Sequence, residues 1–499
     1  MSLPAAEGDE KRRIAMLLRK LTENMPYLVD TKGDMETEIL SVCSNSREKV
    51  DRGLFFCIPG ARFDAHDFAP QAIGNGNVAL VVDHFVDADV PQVKVTNVRA
   101  AMSRMAAAFY GNPAQEMRFV GVTGTKGKTT TTYMIKSIVE TAGMKCGLVG
   151  TTGNMIGEKR IASNYTTPDP IDLQRDLRQM ADEGVQVVIM EVSAHAIDMF
   201  RLDGMVFEVG AYTNLSQDHL DYFGTMQKYF ECKKEFFTRG MVKNAVLNVD
   251  EETSADILRD LDVPHLTFGI AAPADLFARD IEITEDGVSF DVKLQGMHAL
   301  PINLRMTGMF NVYNAIAAAS CAMVLGISHE NIKAGLEKIE NVPGRIEMLP
   351  TGTPYRVILD YAHAPDALDN ILKTCRTFTK GRLIALFGCG GDRDKGKRPI
   401  MGRIAGELAD LCILTSDNPR TEDPMAILAS IEEGIQDTAC PYVMIENRRE
   451  AIRHALQIGK PGDVIALCGK GHETYQEING VKHPFDEKVV VAELLEEMQ

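Results

Sequence analysis

The sequence predicts an α/β protein built as three consecutive domains with mainly parallel sheets. Three observations carry that prediction. At 499 residues the chain exceeds what one hydrophobic core usually serves. Short apolar strand-like runs alternate with helical stretches over most of its length, the pattern of doubly wound sheets. Two breaks, at Asn112-Pro113 and at Asn341-Val-Pro-Gly-Arg345, divide it into 1–115, 116–341 and 342–499.

The first segment opens on an amphipathic stretch, residues 14–21, and continues into β-like runs at 53–59 and 78–83. The helical stretch 100–110 then stops at Asn112-Pro113, because the residue before a proline is steered away from helix. Residues 118–124 form a short apolar strand running into a glycine-rich loop and a helix over 128–143. Buried-strand candidates follow at 185–192, 206–214, 243–250 and 265–270. Alternating polarity over 280–295 predicts an antiparallel hairpin, with a helix over 308–326 packed on it. Beyond Arg345, strands at 355–361, 382–388, 411–417, 442–447 and 464–470 alternate with helices once more.

Hydrophobic residues at 45% and charged residues at 25% are the balance of a soluble globular protein. The net charge of −17 argues against non-specific binding to nucleic acid or anionic membrane, so anionic substrates would need local basic pockets. The ten cysteines are dispersed, without a C-x-x-C pair, and most lie in apolar runs where a thiol packs as a small hydrophobe. That pattern fits a reducing compartment and neither a disulfide framework nor a zinc site. The start MSLPAAEGDEKRR has no apolar targeting core, and no run reaches 18 apolar residues. A cytoplasmic protein without membrane insertion is expected.

The strongest chemical signal is Gly121-Val-Thr-Gly124-Thr125-Lys126-Gly127-Lys128-Thr129-Thr130, placed between a strand and a helix. A phosphate loop needs that context: backbone N–H groups cradle phosphates, the lysine reaches the terminal ones, and a hydroxyl meets Mg²⁺. Gly121, Gly124, Thr125, Lys126, Gly127, Lys128, Thr129 and Thr130 are therefore expected at ATP. Such a loop fixes nucleotide binding and leaves the reaction open. Glu191 ends an apolar strand at the same sheet edge and is a reasonable Mg²⁺ ligand. His219, in Ser216-Gln-Asp-His-Leu-Asp-Tyr222, follows another strand; a lone histidine is more often packed or solvated.

Together these runs are similar to the central domain of the Mur ligases, whose relatives include folylpolyglutamate synthases: Thr123–Thr130, then Glu191-Val-Ser193-Ala-His195, then Asp218-His219-Leu-Asp221-Tyr222. The resemblance implies ATP, Mg²⁺ held by Thr129, Glu191 and His219, and a lysine carrying CO₂ as a carbamate. That lysine is Lys233 in Tyr229-Phe-Glu-Cys-Lys233-Lys234, four residues after Tyr229 and on one helix face with it. Cys232 stands where relatives usually have alanine, and Lys234 reads as solvated.

Within the family the chain resembles the MurE branch over essentially its whole length. Ser44-Asn45-Ser46-Arg47 and the segment through His66 are similar to the branch's uridine-diphosphate domain, with Asn45 and Ala65 as departures. Thr166-Thr167-Pro168, Ser193 and Arg201 match residues that hold the UDP-muramoyl dipeptide; Met199 falls where glutamine is usual. Gly308–Asn314, including Asn311, and Pro343-Gly344-Arg345 and Asp360–Asp366 resemble the segments that close over the nucleotide. Arg345 would neutralise charge on the transferred phosphoryl group, and Asp360 would hold nucleotide hydroxyls. Asp417-Asn418-Pro419-Arg420, just after a strand, goes in this branch with meso-diaminopimelate as the incoming amine, and Arg393, Gly469 and Glu473 match its other contacts. A guanidinium can grip the distal carboxylate of diaminopimelate with two hydrogen bonds, whereas it would repel the ammonium of lysine.

The implied architecture is a central P-loop ATPase-type domain between an N-terminal α/β UDP-binding domain and a C-terminal Rossmann-like, amino-acid-binding domain. The implied reaction joins meso-diaminopimelate to UDP-MurNAc-L-Ala-D-Glu through an acyl phosphate, in peptidoglycan precursor synthesis, with Lys128, Lys233, His219 and Arg345 as catalytic residues and a monomeric enzyme. Three alternatives compete. The same ligase using L-lysine is opposed by Arg420. A folylpolyglutamate synthase is opposed by the extra N-terminal segment, and a non-catalytic nucleotide-binding relative by the intact Lys128, Glu191, His219 and Lys233.

Overall fold

The computed structural model describes residues 15–60, 63–161, 165–284, 287–294 and 299–498. The N-terminal stretch 1–13 and the first residue of the amphipathic start, Ile14, lie outside the described residues, as does Gln295 at the end of the expected hairpin. The α/β class is borne out, with three principal sheets in chain order.

Among the described residues the first sheet has five strands, in the order Leu28–Lys32, Gln92–Val95, Asn77–Val82, Gly53–Phe56 and Ser41–Cys43. All neighbours run parallel except Leu28–Lys32 against Gln92–Val95. The amphipathic start is a two-residue strand, Met16–Leu17, and a single helical turn, Leu18–Leu21, whose leucines are buried.

Among the described residues the central sheet has eleven strands. Its parallel middle runs Cys146–Val149, Val187–Glu191, Arg118–Thr123, Val209–Tyr212, Ala245–Asn248, His265–Gly269 and Leu276–Ile283. The expected hairpin is present, but it does not form a sheet of its own. Leu276–Ile283 pairs with Gly269 on one side and antiparallel with Val288–Leu294 on the other, so the hairpin extends the parallel sheet. The strands of the middle are apolar on both faces because helices cover both. Val120, Val122, Val187 and Ile189 face one core, and Phe119, Val188 and Met190 face the other.

Three helices cover the first of these cores, Lys128–Thr141, Met309–Val324 and His329–Lys338. Ala315, Ala317, Ala318 and Ala319 carry only a methyl group, which lets the second helix lie close to the first. Gly335, on the helix His329–Lys338, has the backbone of Ile138 where a Cβ would stand, so only glycine fits that crossing.

The third sheet runs Glu347–Leu349, Arg356–Asp360, Val464–Cys468, Leu383–Phe387, Leu411–Leu414 and Tyr442–Met444, parallel except for its first strand. A hairpin, Tyr475–Ile478 with Val481–Pro484, follows and was not foreseen. Its first strand is only partly buried and its second is exposed, so they lack the apolar run that marks the others. Among the described residues no helix is long and apolar enough to cross a membrane.

Candidate active site

The chain places Cys146–Val149 and Val187–Glu191 on one side of Arg118–Thr123, then crosses to Val209–Tyr212 on the other. Strand order therefore reverses at the strand that feeds the glycine-rich loop, and a crevice opens beyond its carboxyl end. The loop wraps tightly there. Gly124 and Gly127 have φ of +146° and +83°, and a Cβ on either would collide with Thr213 or Asn314. Asn214 clamps the loop by accepting from the Lys126 N–H (2.8 Å) and donating to its carbonyl (3.1 Å). Gly121 is a correction to the expected nucleotide set. It lies inside the strand, and a Cβ there would press on Phe236 and Phe207, so its smallness serves packing.

Lys128 begins the helix and donates from Nζ to the carbonyls of Gly124 and Thr125, both at 2.9 Å. Burial, only partly offset by Glu191, lowers its ammonium to about 8. Lys233, 1% exposed on the helix Met226–Thr238, donates to the same Gly124 carbonyl at 2.9 Å. Its Nζ stands 4.4 Å from the centre of the Tyr229 ring, as the four-residue spacing requires. Burial first, and then the Lys128 charge, hold Lys233 well below the usual lysine range. Lys234 corrects its reading as a solvated residue: it is mostly buried and pairs with Asp260 at 2.5 Å.

Glu191 is 1% exposed and accepts from neutral donors: the hydroxyls of Thr129 and Thr151, both at 3.0 Å, and the Thr151 N–H at 2.9 Å. A buried carboxylate beside a hydroxyl, without a direct ion pair among the described residues, is a donor set suited to a hard divalent cation. Arg345 reaches into this group, donating from Nη2 to Thr129 Oγ1 at 3.2 Å. His219 has a left-handed backbone (φ +54°) at the start of a short helix, and its ring lies edge-on to His195, 4.8 Å between centroids. Beside it, burial raises Asp218 but Lys126, 3.6 Å away, and His219 outweigh that and keep its carboxyl far below the usual range.

A cavity of about 530 Å³ is lined by Lys126, Gly127, Thr130, Asn311, Arg345 and Asp360, among others. Asn311 donates to the Thr307 carbonyl (2.8 Å) and accepts from Asn314 (3.1 Å). Asp360 accepts the Ile346 N–H at 2.8 Å, and burial raises its carboxyl.

Thr166, Thr167, Ser193, Met199 and Arg201 gather along the other flank of Glu191. Thr167 Oγ1 donates to the Glu191 carbonyl (2.7 Å) and accepts the Ser193 N–H (3.1 Å). Thr166 meets Thr151, which itself bonds Glu191. Arg201 donates to the Thr167 carbonyl (2.7 Å), pairs with Asp169 (3.0 Å) and touches the Met199 sulfur (3.8 Å). Ser44 and Ser46 stay with the first sheet, where Ser46 Oγ donates to Gln71 at 2.9 Å; among the described residues no hydrogen bond joins them to this group.

A second cavity, about 560 Å³, lies between the central and third sheets. It is lined by Asp218, His219, His363, Arg393, Asp417, Asn418, Arg420, Gly469 and Glu473, among others. Asp366 borders both cavities. Asn418 donates to Glu473 at 2.9 Å, and Gly469 (φ +116°) lies against Asp417, where a Cβ would meet Oδ2 at 2.6 Å. Pro419 follows Asn418 and leads into Arg420, whose φ is +51°. Arg420 donates from Nη1 to the Gly391 carbonyl (2.7 Å), and its Nε lies 3.3 Å from Glu477. That leaves the Nη1–Nη2 end of the fork able to meet a carboxylate. Arg393 is exposed at the cavity rim. His363 directs Nδ1–H to the Tyr361 carbonyl (2.8 Å), and burial, then Lys397, lowers it to about 4.

Sequence reasoning missed Lys470, which is completely buried and donates to Asn418 (3.1 Å) and Glu473 (2.9 Å). Its only signal was its position between two glycines of Gly469-Lys-Gly-His-Glu473. Asn214 and Thr151, which hold Lys126 and Glu191, carried no signal, because both are ordinary polar residues after strands.

Two family models match the chain: the Mur ligase middle domain over residues 122–322 and the Mur ligase glutamate ligase domain over 344–471. The chain is 42% identical to UDP-N-acetylmuramoyl-L-alanyl-D-glutamate--2,6-diaminopimelate ligase 1 of Clostridium acetobutylicum, over 97% of this chain and 100% of the relative. It is 44% identical to the enzyme of that name from Caldanaerobacter subterraneus subsp. tengcongensis, over 94% and 97% of the two chains. A solved structure of a UDP-N-acetylmuramoyl-L-alanyl-D-glutamate--2,6-diaminopimelate ligase superposes with a TM-score of 0.68 at 32% identity, covering 97% of this chain and 99% of the other. A Mycobacterium tuberculosis folylpolyglutamate synthase complexed with ADP shares the fold at 20% identity and a TM-score of 0.62, over 74% of this chain and 91% of its own. With its phosphate loop, its two adjoining cavities and relatives that match nearly all of its length, the chain belongs to the Mur ligase family of enzymes.

Proposed function

We propose that this protein adds meso-diaminopimelate to UDP-N-acetylmuramoyl-L-alanyl-D-glutamate at the expense of ATP, by way of an acyl phosphate. The names of its relatives support the reading, and one observation carries it. The cavity at the phosphate loop and the cavity at Asp417–Arg420 adjoin across Asp366, so a phosphorylated carboxyl formed in one is within reach of an amine held in the other.

ATP would lie along Gly124–Thr130 with Asn311 and Asp360 beyond. Lys128 would meet its terminal phosphates, and Arg345 would offset charge on the group in transfer. Thr129, Glu191 and His219 would hold Mg²⁺, which supplies charge neutralisation to the phosphates. Lys233 is the residue to carry a carbamate: an amine held neutral by burial can add to CO₂, and the product is an anion able to support a second cation. Thr166, Thr167, Ser193, Met199 and Arg201 would position the muramoyl dipeptide, and Ser44 and Ser46 its uridine diphosphate.

On the amine side, Asn418, Asp417, Gly469 and Glu473 would take an ammonium and its backbone, while Arg420 and Arg393 would take carboxylates. Closing the two sheets on each other would exclude water from the acyl phosphate.

The test is phosphate release from ATP with the UDP-muramoyl dipeptide, comparing meso-diaminopimelate with L-lysine. Diaminopimelate is expected to be strongly preferred. Arg420→Ala should weaken its use by about 10- to 150-fold, the loss of a charge-assisted contact of about 1.5–3 kcal/mol. Equal use of lysine would remove the assigned role of Arg420, and no release with either amine would remove the reading itself.

A further inference from the structure

The first domain carries a group of metal-binding side chains far from the phosphate loop in the chain: His66, Asp83 and His84. Their donor atoms all lie within 4.8 Å of one another. His66 sits in one short 3-10 turn, Ala65–Phe68, and Asp83 and His84 directly follow the strand Asn77–Val82. The parallel strands Gly53–Phe56 and Asn77–Val82 deliver both segments to one sheet edge.

Two features distinguish this group from a chance meeting of polar residues. The first is orientation. His66 is buried, and its Nδ1 lies 2.6 Å from Asp64 Oδ1, which also accepts the His66 N–H at 3.0 Å. A carboxylate accepts only, so Nδ1 carries a proton, and the Asp83 N–H directed at Nε2 marks the lone pair there. A carboxylate on the far nitrogen is the usual means of orienting a metal-ligating histidine.

The second feature is an opposition of acceptors. That Nε2 faces Asp83 Oδ1 at 3.3 Å, with only a long contact from the Asp83 N–H at 3.4 Å to satisfy it. A lone pair and a carboxylate oxygen so placed can turn to one cation, which would replace the long N–H contact at Nε2 and the His84 contact at the carboxylate. Two tetrahedral ligands of zinc, each about 2.0–2.2 Å from the ion, stand about 3.4 Å apart, which matches this spacing. His84 completes the group, its ring stacked on that of His66 with centroids 4.3 Å apart and its Nδ1 2.5 Å from the same Asp83 oxygen. The His84 side chain is 60% exposed and free to back away by the ångström an ion would need.

We propose that His66, Asp83 and His84 form a binding site for one divalent transition-metal ion of the zinc type, oriented by Asp64. Two imidazoles and one carboxylate suit zinc, cobalt or nickel and disfavour Mg²⁺, which prefers oxygen ligands. The ion fastens the turn after Gly53–Phe56 to the end of Asn77–Val82. Ser41–Cys43 lies parallel beside Gly53–Phe56, so the site shares its sheet edge with Ser44 and Ser46.

The experiment uses the full chain, stripped with chelator and held in excess Mg²⁺, and titrates it with Co²⁺ while following visible d–d absorption. One saturable equivalent is expected, displaced by Zn²⁺, weakened at least tenfold in the exposed-residue variant His84→Gln, lost in His66→Gln, and unchanged in Cys440→Ser. Circular dichroism of His84→Gln checks that the fold is intact. Unchanged cobalt binding in His84→Gln, sulfur-to-cobalt charge-transfer bands, or no saturable binding would each overturn the proposal.

Discussion

Lys128 and Lys233 both donate to one acceptor, the carbonyl oxygen of Gly124, each at 2.9 Å. Two ammonium groups sharing one oxygen repel each other, and both are buried, so the arrangement is most stable when one amine is neutral. Burial, followed by the Lys128 charge, makes Lys233 that amine. Lys233→Ala should therefore lower the rate of phosphate release by at least about 100-fold, because it removes the group that would become the carbamate. Added acetate or formate should recover part of the loss by standing in for the missing anion. A variant that kept a tenth of the rate, with no response to added carboxylate, would show that Lys233 only packs.

Nucleotide binding should take up protons in mildly alkaline solution. The Lys128 ammonium is lowered by burial to about 8 in the free protein, against 10.5 ordinarily. Between those values the folded chain holds fewer protons than the unfolded one, so this group's burial penalty shrinks as pH rises through the window. Phosphates beside Nζ restore the ammonium. Calorimetric titration with nucleotide at about pH 8.5, in two buffers of different ionisation enthalpy, should give different heats, and a smaller difference at about pH 7. Equal heats at the higher pH would contradict the assigned contact.

Lys470 should matter to the amine more than to ATP. Its buried ammonium holds Glu473 and Asn418, the two side chains expected to receive diaminopimelate. Lys470→Met keeps the aliphatic stem and leaves Glu473 without its cation, at a cost of up to about 3 kcal/mol in stability. We expect a lower melting temperature, a KM for diaminopimelate raised about tenfold or more, and a KM for ATP changed little. Equal changes in both KM values would mean that the residue supports the whole domain.

Stability should fall between about pH 6.5 and 4 partly through His363. Burial, then Lys397, lowers this imidazole to about 4 from 6.5. Between those values the unfolded chain binds the extra proton and the folded chain does not, so the contribution is complete above pH 6.5 and is lost as pH falls. His195 and His472, also lowered to about 4 by burial, act in the same direction. His363→Gln should flatten the slope of unfolding free energy against pH by up to about 1.4 kcal/mol per unit. An unchanged slope would place the acid sensitivity elsewhere.

Local pattern made much of this protein legible before any coordinates. A strand buried on both faces must be a continuous apolar run, so 118–123, 187–191 and 464–468 could be read directly. The glycine-rich loop was equally clear, since it needs fixed residues at fixed spacing between a strand and a helix. The hairpin Tyr475–Ile478 with Val481–Pro484 was not legible, because its residues are half-buried or exposed and show no such run. Gly121 was misassigned because a packing glycine and a loop glycine look the same until Phe207 and Phe236 are seen against it. Lys234 was misread for the same reason, its partner Asp260 lying 26 residues further along the chain.

By itself the sequence determined the α/β class and the phosphate loop, because these depend on short-range periodicity and spacing, while the residues of the other binding region followed from its resemblance to the Mur ligases. Only the tertiary structure decided which of those side chains meet. Arg345 reaches Thr129, Lys233 reaches Gly124, Lys470 props Glu473, and Asp64 orients His66 toward Asp83. The first two of these contacts join residues far apart in the chain, and the short ones depend on the burial and backbone turns that packing imposes. Their geometry is fixed by where strand order reverses and by which sheet edges face each other, and no local pattern encodes either.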